Sequence, residues 1–156
     1  MSAYTDAVGL LSRRQLTVAE CRSRLAQLEH SDPDIETAIT HLVETGALDD
    51  ARLARAYART ASEVKGRGRL RVIRELEARG VDHETAAAAV GETYTEKDER
   101  TLVARALDKK LRGRSKPNDR REYARLYQHL MRQGFTPAAV HAALRKLRGP
   151  GDDELQ

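Results

Sequence analysis

Apolar residues recur along this chain at intervals of three and four positions, a spacing that places them on one face of an α-helix. The clearest run begins after Asp32-Pro33 and ends before Gly46. Its apolar positions are Ile35, Ala38, Ile39, Leu42 and Val43. Asp32 is expected to cap this helix, because its side chain can accept hydrogen bonds from free backbone N–H groups and proline fits the first turn. The pattern therefore predicts an amphipathic helix with one buried face.

The same spacing predicts helices on both sides of this run. A short helix is expected from Tyr4 to Arg14, and the next begins at a capping box formed by Thr17 and Glu20. The buried stripe of that second helix is expected to consist of Val18, Cys21, Leu25 and Leu28. Cys21 could be a reactive thiol or a small buried hydrophobe, and its position on the stripe favours burial. Six further helices are expected after residue 48, which makes about nine.

Residues 46–81 contain two of these helices, joined by a basic loop. Gly46 can end the preceding helix in the left-handed conformation, and Asp49 offers acceptors to the first turn of the next one. The buried face of that helix is expected to consist of Leu53, Tyr57, Ala61 and Val64. The loop Lys65-Gly66-Arg67-Gly68, which we call the elbow, leads into a helix that ends at Gly80. The inward positions of this helix are Val72, Ile73 and Leu76.

Arginines and one lysine follow the sides of these two helices that lie away from the apolar positions. We call this set the basic face: Arg52, Arg55, Arg59, Lys65, Arg67, Arg69, Arg71 and Arg74. Between positions 52 and 79 nine basic residues stand against three acidic ones, whereas a solvated helix surface usually mixes both signs. The basic face is therefore the candidate binding site. Replacing Arg67, Arg71 and Arg74 together by Glu is expected to weaken binding sharply and to leave the fold intact.

The helices repeat along the chain. A shift of 54 residues places Gly80 on Gly134 and aligns the caps Asp82 and Thr136. Three units of three helices are predicted, at residues 1–48, 49–94 and 95–148. Because stacked units contact mainly their neighbours, we expect an all-α, elongated and curved tandem array. Two irregular segments complete the prediction, a flexible basic linker at 112–118 and a disordered acidic tail at 149–156.

The net charge of +4 is distributed unevenly along the chain. With histidine counted as neutral, the first unit carries −3, the second +1, the third +9 and the tail −3. This asymmetry favours an extended anionic partner on one side of the molecule, and the alternative is an ordinary solvated helix surface. Tyr123 and Tyr127 could stack on such a partner, but both continue a buried stripe, which favours the core.

The residues that catalysis or metal binding requires do not occur in the necessary patterns. A single cysteine excludes an internal disulfide, and the five histidines lack the spacing of metal ligands. Asp49 and Asp50 would point about 100° apart on a helix, so capping suits them better than binding a cation. Gly66 and Gly68 follow a helix rather than a strand and lack the Lys-Ser/Thr pair of a phosphate loop. We therefore expect no enzyme activity, no cofactor and no metal.

The chain also lacks the patterns of membrane and export segments. No apolar run approaches the roughly 18 residues of a membrane span, and no basic start leads into an apolar signal core. The single cysteine suits a reducing compartment. A cytoplasmic protein without membrane contact is therefore expected.

Fourteen positions between 46 and 81 follow a fixed pattern built around Leu-Asp-Asp, the Gly-x-Gly elbow and a final Arg-Gly. They are Gly46, Leu48, Asp49, Asp50, Arg52, Ala54, Tyr57, Gly66, Gly68, Arg71, Glu75, Leu76, Arg79 and Gly80. In this register the stretch resembles the RecX family of recombinase regulators. Ala47, Leu53, Arg69 and Val72 depart from the family pattern but keep helix chemistry. The resemblance covers nearly the whole chain and is weakest in the third unit.

The resemblance implies a regulator that binds the RecA recombinase filament on single-stranded DNA, as a monomer. There it would restrain strand exchange, ATP hydrolysis and coprotease activity, within homologous recombination, DNA repair and the SOS response. The basic face would meet DNA phosphate or an acidic protein surface. Two alternatives remain open, a helical nucleic-acid-binding module of another kind and a repeat scaffold for an acidic protein. Tight, sequence-dependent DNA binding without recombinase would favour the first, and partner binding indifferent to DNA the second.

Overall fold

The structure of the protein, a computed structural model, describes residues 1–114 and 116–149, apart from the side chain of Lys97. These residues form nine α-helices and no strand, which confirms the predicted all-α class. The helices are α1 (Ala3–Leu11), α2 (Val18–Gln27), α3 (Asp32–Glu44), α4 (Asp50–Glu63), α5 (Arg69–Ala78), α6 (His83–Thr93), α7 (Glu96–Leu111), α8 (Arg120–Arg132) and α9 (Pro137–Arg148). None of these described helices is long and apolar enough to cross a membrane.

Polar side chains determine where most helices begin. In eight of the nine described helices the N-cap side chain accepts a hydrogen bond from a backbone N–H of the first turn, and Gly68 of α5 is the exception. The predicted capping box of α2 is present, since Glu20 N donates to Thr17 Oγ1 over 3.0 Å and Thr17 N donates to Glu20 Oε1 over 2.9 Å. The cap of α3 is Ser31 rather than the predicted Asp32, because Asp32 already lies in the first helical turn.

Helices α1, α2 and α3, the first unit, pack around a core of their own. Its buried residues are Ala3, Ala7, Leu16, Cys21, Leu25, Ile35, Ala38, Ile39, Leu42 and Leu48. Leu28 and Val43, predicted to be buried, are 51% and 47% exposed. Leu28 follows the last residue of α2, and Val43 lies at the edge of the apolar face of α3. The buried face of this unit is therefore narrower than the apolar spacing predicted, and Leu28 and Val43 lie outside it.

Helices α4 to α6, the second unit, and α7 to α9, the third unit, share one larger core. Its fully buried large side chains include Val72, Leu76, Val90, Tyr94, Val103, Leu130, Phe135 and Val140. Tyr123 is buried in this core and Tyr127 packs against it, so the structure favours the core for both. Val64, predicted to be buried, is 77% exposed because α4 ends at Glu63 and Val64 no longer continues its face.

The two junctions between units have the same construction. In each, the N-terminus of one unit's second helix meets the turn between the second and third helices of the next unit. Thr17 Oγ1 donates to the carbonyl of Arg79 over 2.7 Å at the first junction, and Gly68 N donates to the carbonyl of Gln133 over 2.8 Å at the second. Thr17 and Gly68 are equivalent N-caps, and Arg79 and Gln133 are equivalent C-caps. The internal repeat therefore extends to the contacts between units.

The junctions differ in what surrounds these hydrogen bonds. At the first, Arg79 Nη2 lies 2.9 Å from Glu20 Oε1, and Val18 N donates to Asp50 Oδ1 over 2.9 Å. The buried apolar residues on its two sides belong to separate clusters. At the second junction the apolar cluster continues from one unit into the other. Polar contacts therefore hold the first unit, whereas a common core holds the other two together.

The segment predicted to be a flexible linker, 112–118, contacts the third unit at the residues that the structure describes. Lys116 Nζ donates to the carbonyl of Arg148 over 2.8 Å, and Asn118 N donates to Glu122 Oε2 over 2.8 Å. Pro117 is buried. The predicted acidic tail lies outside the described residues except for Gly149.

Candidate partner and nucleic-acid interface

Helix α4 carries three arginines of the basic face. Its start is set by Asp49, whose Oδ1 accepts a hydrogen bond from Arg52 N over 3.0 Å. Burial of Leu53 on the opposite side turns the arginines away from the core, so that Arg52 and Arg59 are exposed and Arg55 is half-buried. None of the three has an ion-pair partner among the described residues. Their charges are therefore available to an anionic partner.

The elbow is held by side chains from both neighbouring helices and from the end of α6. Arg67 Nη1 donates to Glu75 Oε2 over 2.7 Å and to Tyr57 Oη over 3.4 Å. The carbonyl of Arg67 accepts a hydrogen bond from Tyr94 Oη over 2.6 Å. Only 21% of the Arg67 side chain is exposed. Arg67 thus directs its charge into the fold and keeps the elbow in place.

Tyr94 is a central residue of this site that the sequence patterns did not single out. It is 1% exposed, and burial raises the pKa of Tyr94 to about 12, so the hydroxyl remains a donor at neutral pH. The carbonyl of Tyr94 accepts a hydrogen bond from Arg69 Nη2 over 2.6 Å. Tyr94 and the elbow region therefore exchange two hydrogen bonds. Tyr94 caps the end of α6, four residues after the buried Val90, and this spacing is the pattern that could have indicated it.

Glu99 connects the start of α5 to the third unit. It is 5% exposed, its Oε2 lies 3.3 Å from Arg69 Nε, and its Oε1 accepts a hydrogen bond from Thr136 N over 2.9 Å. A buried ion pair adds little net stability, but removing one partner costs about 3–5 kcal/mol because the remaining charge is uncompensated. Arg69 is therefore required by the fold, and its charge is neutralised within it.

Arg71 is also used inside the molecule. Its Nε lies 3.7 Å from Glu75 Oε1, its Nη1 donates to Gln133 Oε1 over 3.5 Å, and its Cβ lies against Gly134. The expectation that three arginines of this stripe can be reversed without disturbing the fold assumed that all three lie free on the surface. That assumption is wrong for Arg67 and Arg71, because both pair with Glu75. Reversing both would place three carboxylates close together at the junction of the second and third units.

The basic face therefore separates into two groups. The paired group, which is partly buried, consists of Arg67, Arg69 and Arg71. The accessible group, which has no ion pair among the described residues, consists of Arg52, Arg55, Arg59, Lys65 and Arg74. Helical spacing predicted the direction of these side chains. It did not predict which acidic residues would form ion pairs with them.

Metal ligands and the thiol of Cys21 are two chemical possibilities that the sequence raised. No three His, Cys, Asp or Glu side chains among them come together in a way that could hold a metal ion. Cys21 is fully buried, and burial raises the pKa of its thiol, so it packs as a small apolar side chain. The reading of Cys21 as a core residue is confirmed.

Comparison with known proteins connects this architecture to one family. Models of the first, second and third three-helix domains of RecX match residues 3–42, 49–90 and 98–144. The regulatory protein RecX of Halorhodospira halophila is 36% identical over 138 residues, which covers 88% of this chain and 83% of the relative. The chain belongs to the RecX family. These RecX relatives are named regulatory proteins.

Further RecX proteins are similar to this chain at lower identity. The regulatory protein RecX of Bacillus velezensis is 30% identical over 155 residues, which covers 99% of this chain but only 58% of that longer protein. The crystal structure of RecX from Lactobacillus salivarius superposes with a TM-score of 0.84 at 25% identity and covers 93% of this chain and 94% of that one. The RecX arrangement of three-helix domains is therefore retained although most side chains differ.

Proposed function

We propose that this protein binds RecA-type recombinase filaments on single-stranded DNA and chiefly inhibits their strand exchange, ATP hydrolysis and coprotease activity. Membership of a family of regulatory proteins, matched along all three units, is the observation that carries the proposal. The protein acts as a monomer in the cytoplasm and needs no cofactor. Its effect comes from occupying a surface of the filament.

The repeated construction of the molecule suits a polymeric partner. The three units are connected by equivalent hydrogen bonds, so related surfaces recur along the chain. Such a molecule can contact successive protomers of a filament, while the accessible group of the basic face meets DNA phosphate or acidic protein surface. Binding across several protomers hinders the addition of further protomers or favours their loss.

ATP turnover by a preformed recombinase filament tests the proposal. Adding this protein in excess over filament protomers is expected to lower the steady-state rate, because the filament shortens or is held in an inactive arrangement. Recombinase without DNA serves as the baseline. Unchanged turnover at excess protein would contradict the proposed inhibition, and co-sedimentation in the same samples would then show whether the protein binds without inhibiting.

A further inference from the structure

A cleft of about 470 Å³ lies between the elbow of the second unit and helices α7 and α8 of the third. Its charged and titratable lining residues are Lys65, Arg105, Lys109, Lys110, His129 and Glu63. We call this site the basic cleft. It lies partly outside the basic face defined above, because only Lys65 belongs to both. Most of its charge comes from the third unit, which also carries most of the net positive charge of the chain.

The four cations of the basic cleft are not neutralised within the protein. Arg105, Lys109 and Lys110 are exposed, as is Lys65, and none of them has an ion-pair partner among the described residues. Lys109 and Lys110 lie in the last turn of α7, where the helix dipole favours positive charge. That explanation does not extend to the other two, which come from the elbow and from the middle of α7. An external anion would relieve the repulsion among all four.

The pKa of His129 is affected by the positive charges around the cleft. Burial, followed by the charges of Lys110 and Arg132, lowers the pKa of His129 below its ordinary value. The charged residues that line this cleft and the cleft adjoining it at His129 are Lys65 and Glu63 from the elbow side, Arg105, Lys109 and Lys110 from α7, Arg114 and Lys116 from the segment after α7, and Glu122, Arg125 and Arg132 from α8. Two of these ten groups, Glu63 and Glu122, are acidic. The imidazole is therefore neutral at pH 7 and lies where an anion would favour its protonation.

A second cleft continues the same surface along α7 and α8. It shares Lys110 and His129 with the basic cleft and adds Arg114, Arg125 and Arg132. None of these three arginines has an ion-pair partner among the described residues. The acidic residue on its wall, Glu122, accepts the backbone hydrogen bond from Asn118 and belongs to the first turn of α8. Two adjoining clefts with a common wall fit an extended polyanion better than a single small anion.

We infer that the basic cleft and the cleft adjoining it bind the phosphate backbone of a single-stranded nucleic acid. Phosphates occupy both clefts in succession, with Lys110 and His129 between them. This inference deepens the proposed function and rests on it for the choice of a single strand as the ligand. The contacts are to phosphate rather than to bases, so binding is independent of sequence and depends strongly on salt.

A matched pair of charge-reversal variants tests the position of the site. Lys109→Glu with Lys110→Glu changes the last turn of α7, and Arg145→Glu with Lys146→Glu makes the same change of charge in the last turn of α9. Binding of fluorescent oligothymidylate, without recombinase, is measured over a range of salt concentrations. The cleft variant is expected to bind at least about tenfold more weakly at low salt, with a salt slope smaller by about two. The α9 variant is expected to lose no more than about threefold.

Circular dichroism and thermal unfolding of both variants show whether they are folded to the same extent. Equal losses of affinity in the two variants would overturn the inference, because net charge alone would then explain binding. A larger loss in the α9 variant would also overturn it, since the strand would then lie on the face formed by α8 and α9.

The titration of His129, followed by NMR of the imidazole, tests the same site without a mutation. Oligothymidylate is expected to raise the pKa of His129, because phosphate stabilises the protonated ring. Inorganic phosphate at the same ionic strength is expected to raise it much less, since a single ion does not span both clefts. Equal shifts from both probes would show a simple anion site and overturn the inference. An unchanged pKa under saturating oligothymidylate would also overturn it.

These measurements separate the inference from the proposed function. If oligothymidylate does not bind but ATP turnover by the recombinase filament still falls, the inference fails and the proposed function stands through protein contacts. If oligothymidylate binds at the clefts but turnover is unchanged, the nucleic-acid site stands and the proposed inhibition fails.

Discussion

Gly80 and Gly134 serve both the backbone conformation and the contact between units. Their φ angles are 90° and 96°, and a Cβ at either position would overlap the Cβ of Ala19 or of Arg71. Glu29 occupies the equivalent turn in the first unit, where φ is 66° and the side chain is exposed. A positive φ alone is therefore compatible with glutamate in this protein. Close packing of a neighbouring helix is what requires glycine.

Gly134→Ala compared with Gly46→Ala separates these two requirements. Gly46 also has a positive φ, 80°, but nothing lies within 4 Å of a Cβ placed there. Gly46→Ala is expected to lower the free energy of unfolding by about 1–2 kcal/mol through backbone strain alone. Gly134→Ala should cost about 1–3 kcal/mol more, because backbone atoms of Arg71 must also move. Urea unfolding measures both, and equal losses would show that the junction accommodates a methyl group.

Tyr94→Phe tests the hydrogen bond that secures the elbow. Loss of the hydroxyl leaves the Arg67 carbonyl without this donor, so the free energy of unfolding at neutral pH is expected to fall by about 1–2 kcal/mol. The folded pKa of Tyr94, about 12, lies above its ordinary value of 10. The advantage of the wild type over the variant should therefore be complete below pH 10 and disappear as pH rises through 12.

Tyr127→Phe is the control for this substitution, because no hydrogen bond to Tyr127 Oη is present among the described residues and its ring packs at the edge of the same core. It is expected to change stability by a few tenths of a kcal/mol at most. A loss as large as that of Tyr94→Phe would mean that removal of any phenol hydroxyl, rather than the contact with the elbow, explains the result.

Arg59→Glu with Arg74→Glu tests the accessible group of the basic face. Both side chains are exposed and unpaired among the described residues, so the free energy of unfolding should change by less than about 1 kcal/mol. Binding to recombinase filaments on single-stranded DNA is expected to weaken at least about tenfold, because cations facing phosphate or carboxylate are replaced by anions. Co-sedimentation measures the binding.

The matched control is Arg13→Glu with Arg24→Glu, which makes the same change of net charge on exposed residues of the first unit. It should retain most of the filament binding. If both variants bind as well as the wild type, the accessible group is not the contact site. If both lose affinity equally, the total charge rather than the accessible group explains the binding.

At the scale of helices, the units are connected through helix ends. Thr17 Oγ1 accepts a hydrogen bond from Glu20 N within α2 and donates one to the carbonyl of Arg79 in the next unit. Glu20 accepts a hydrogen bond from Thr17 N and also pairs with Arg79. One capping box thus satisfies free backbone groups of its own helix and of its neighbour. Loss of this box should loosen the junction as well as the helix.

The acid sensitivity of the first junction follows from Glu20. Burial acts to raise the pKa of Glu20, but hydrogen bonds from Arg79 and Thr17 outweigh it and hold the pKa below its ordinary value of 4.5. The carboxylate therefore stabilises the fold above pH 4.5, and this contribution is lost as pH falls through the lower, folded value. Glu20→Gln should lower stability at pH 7 and have little effect in strong acid, as measured by urea unfolding at several pH values.

Glu36→Gln is the control, because Glu36 pairs with Arg22 on the surface and exposed pairs contribute little. It should have a small effect at every pH. A pH dependence as large as that of Glu20→Gln would assign the acid sensitivity to surface charge in general rather than to the junction.

At the scale of the whole molecule, the three units do not contribute equally to stability. The first unit has a separate core of small and aliphatic residues and is joined to the second by polar contacts. The second and third units share a core that includes Tyr94, Phe135 and Tyr123. The first unit is therefore expected to open at lower free energy than the rest of the protein.

Leu42→Ala and Leu130→Ala test this division by native-state hydrogen exchange. Both leucines are fully buried, and each substitution should remove about 2–5 kcal/mol from the part of the molecule that depends on it. Leu42→Ala is expected to accelerate amide exchange in α1 to α3 only. Leu130→Ala should accelerate it throughout α4 to α9, because one core spans both units. Uniform acceleration by Leu42→Ala would show that the chain unfolds as a single cooperative body.

The sequence by itself determined which segments are helical, where most of them begin, and that they repeat. Periodicity, capping and left-handed glycines depend on residues within one or two turns of each other, so they can be recognised without knowing the fold. Thr17, Gly46, Asp49 and Gly80 are examples in which the predicted local role is the observed one. The same local pattern also supported the resemblance to RecX, which comparison along the whole chain established.

Only the tertiary structure decided which arginines remain accessible and how the units share their cores. Arg69 is neutralised by Glu99, thirty positions away, and the elbow is secured by Tyr94 from the end of another helix. Helical spacing specifies the direction of a side chain. It does not specify which residues from distant segments contact that side chain in the folded protein. Val64 illustrates the same limit, since its spacing predicted burial although its helix ends one residue earlier. Which residues pair and which are buried depends on segments that are distant in the sequence. Both are therefore decided only by the packing of the whole molecule.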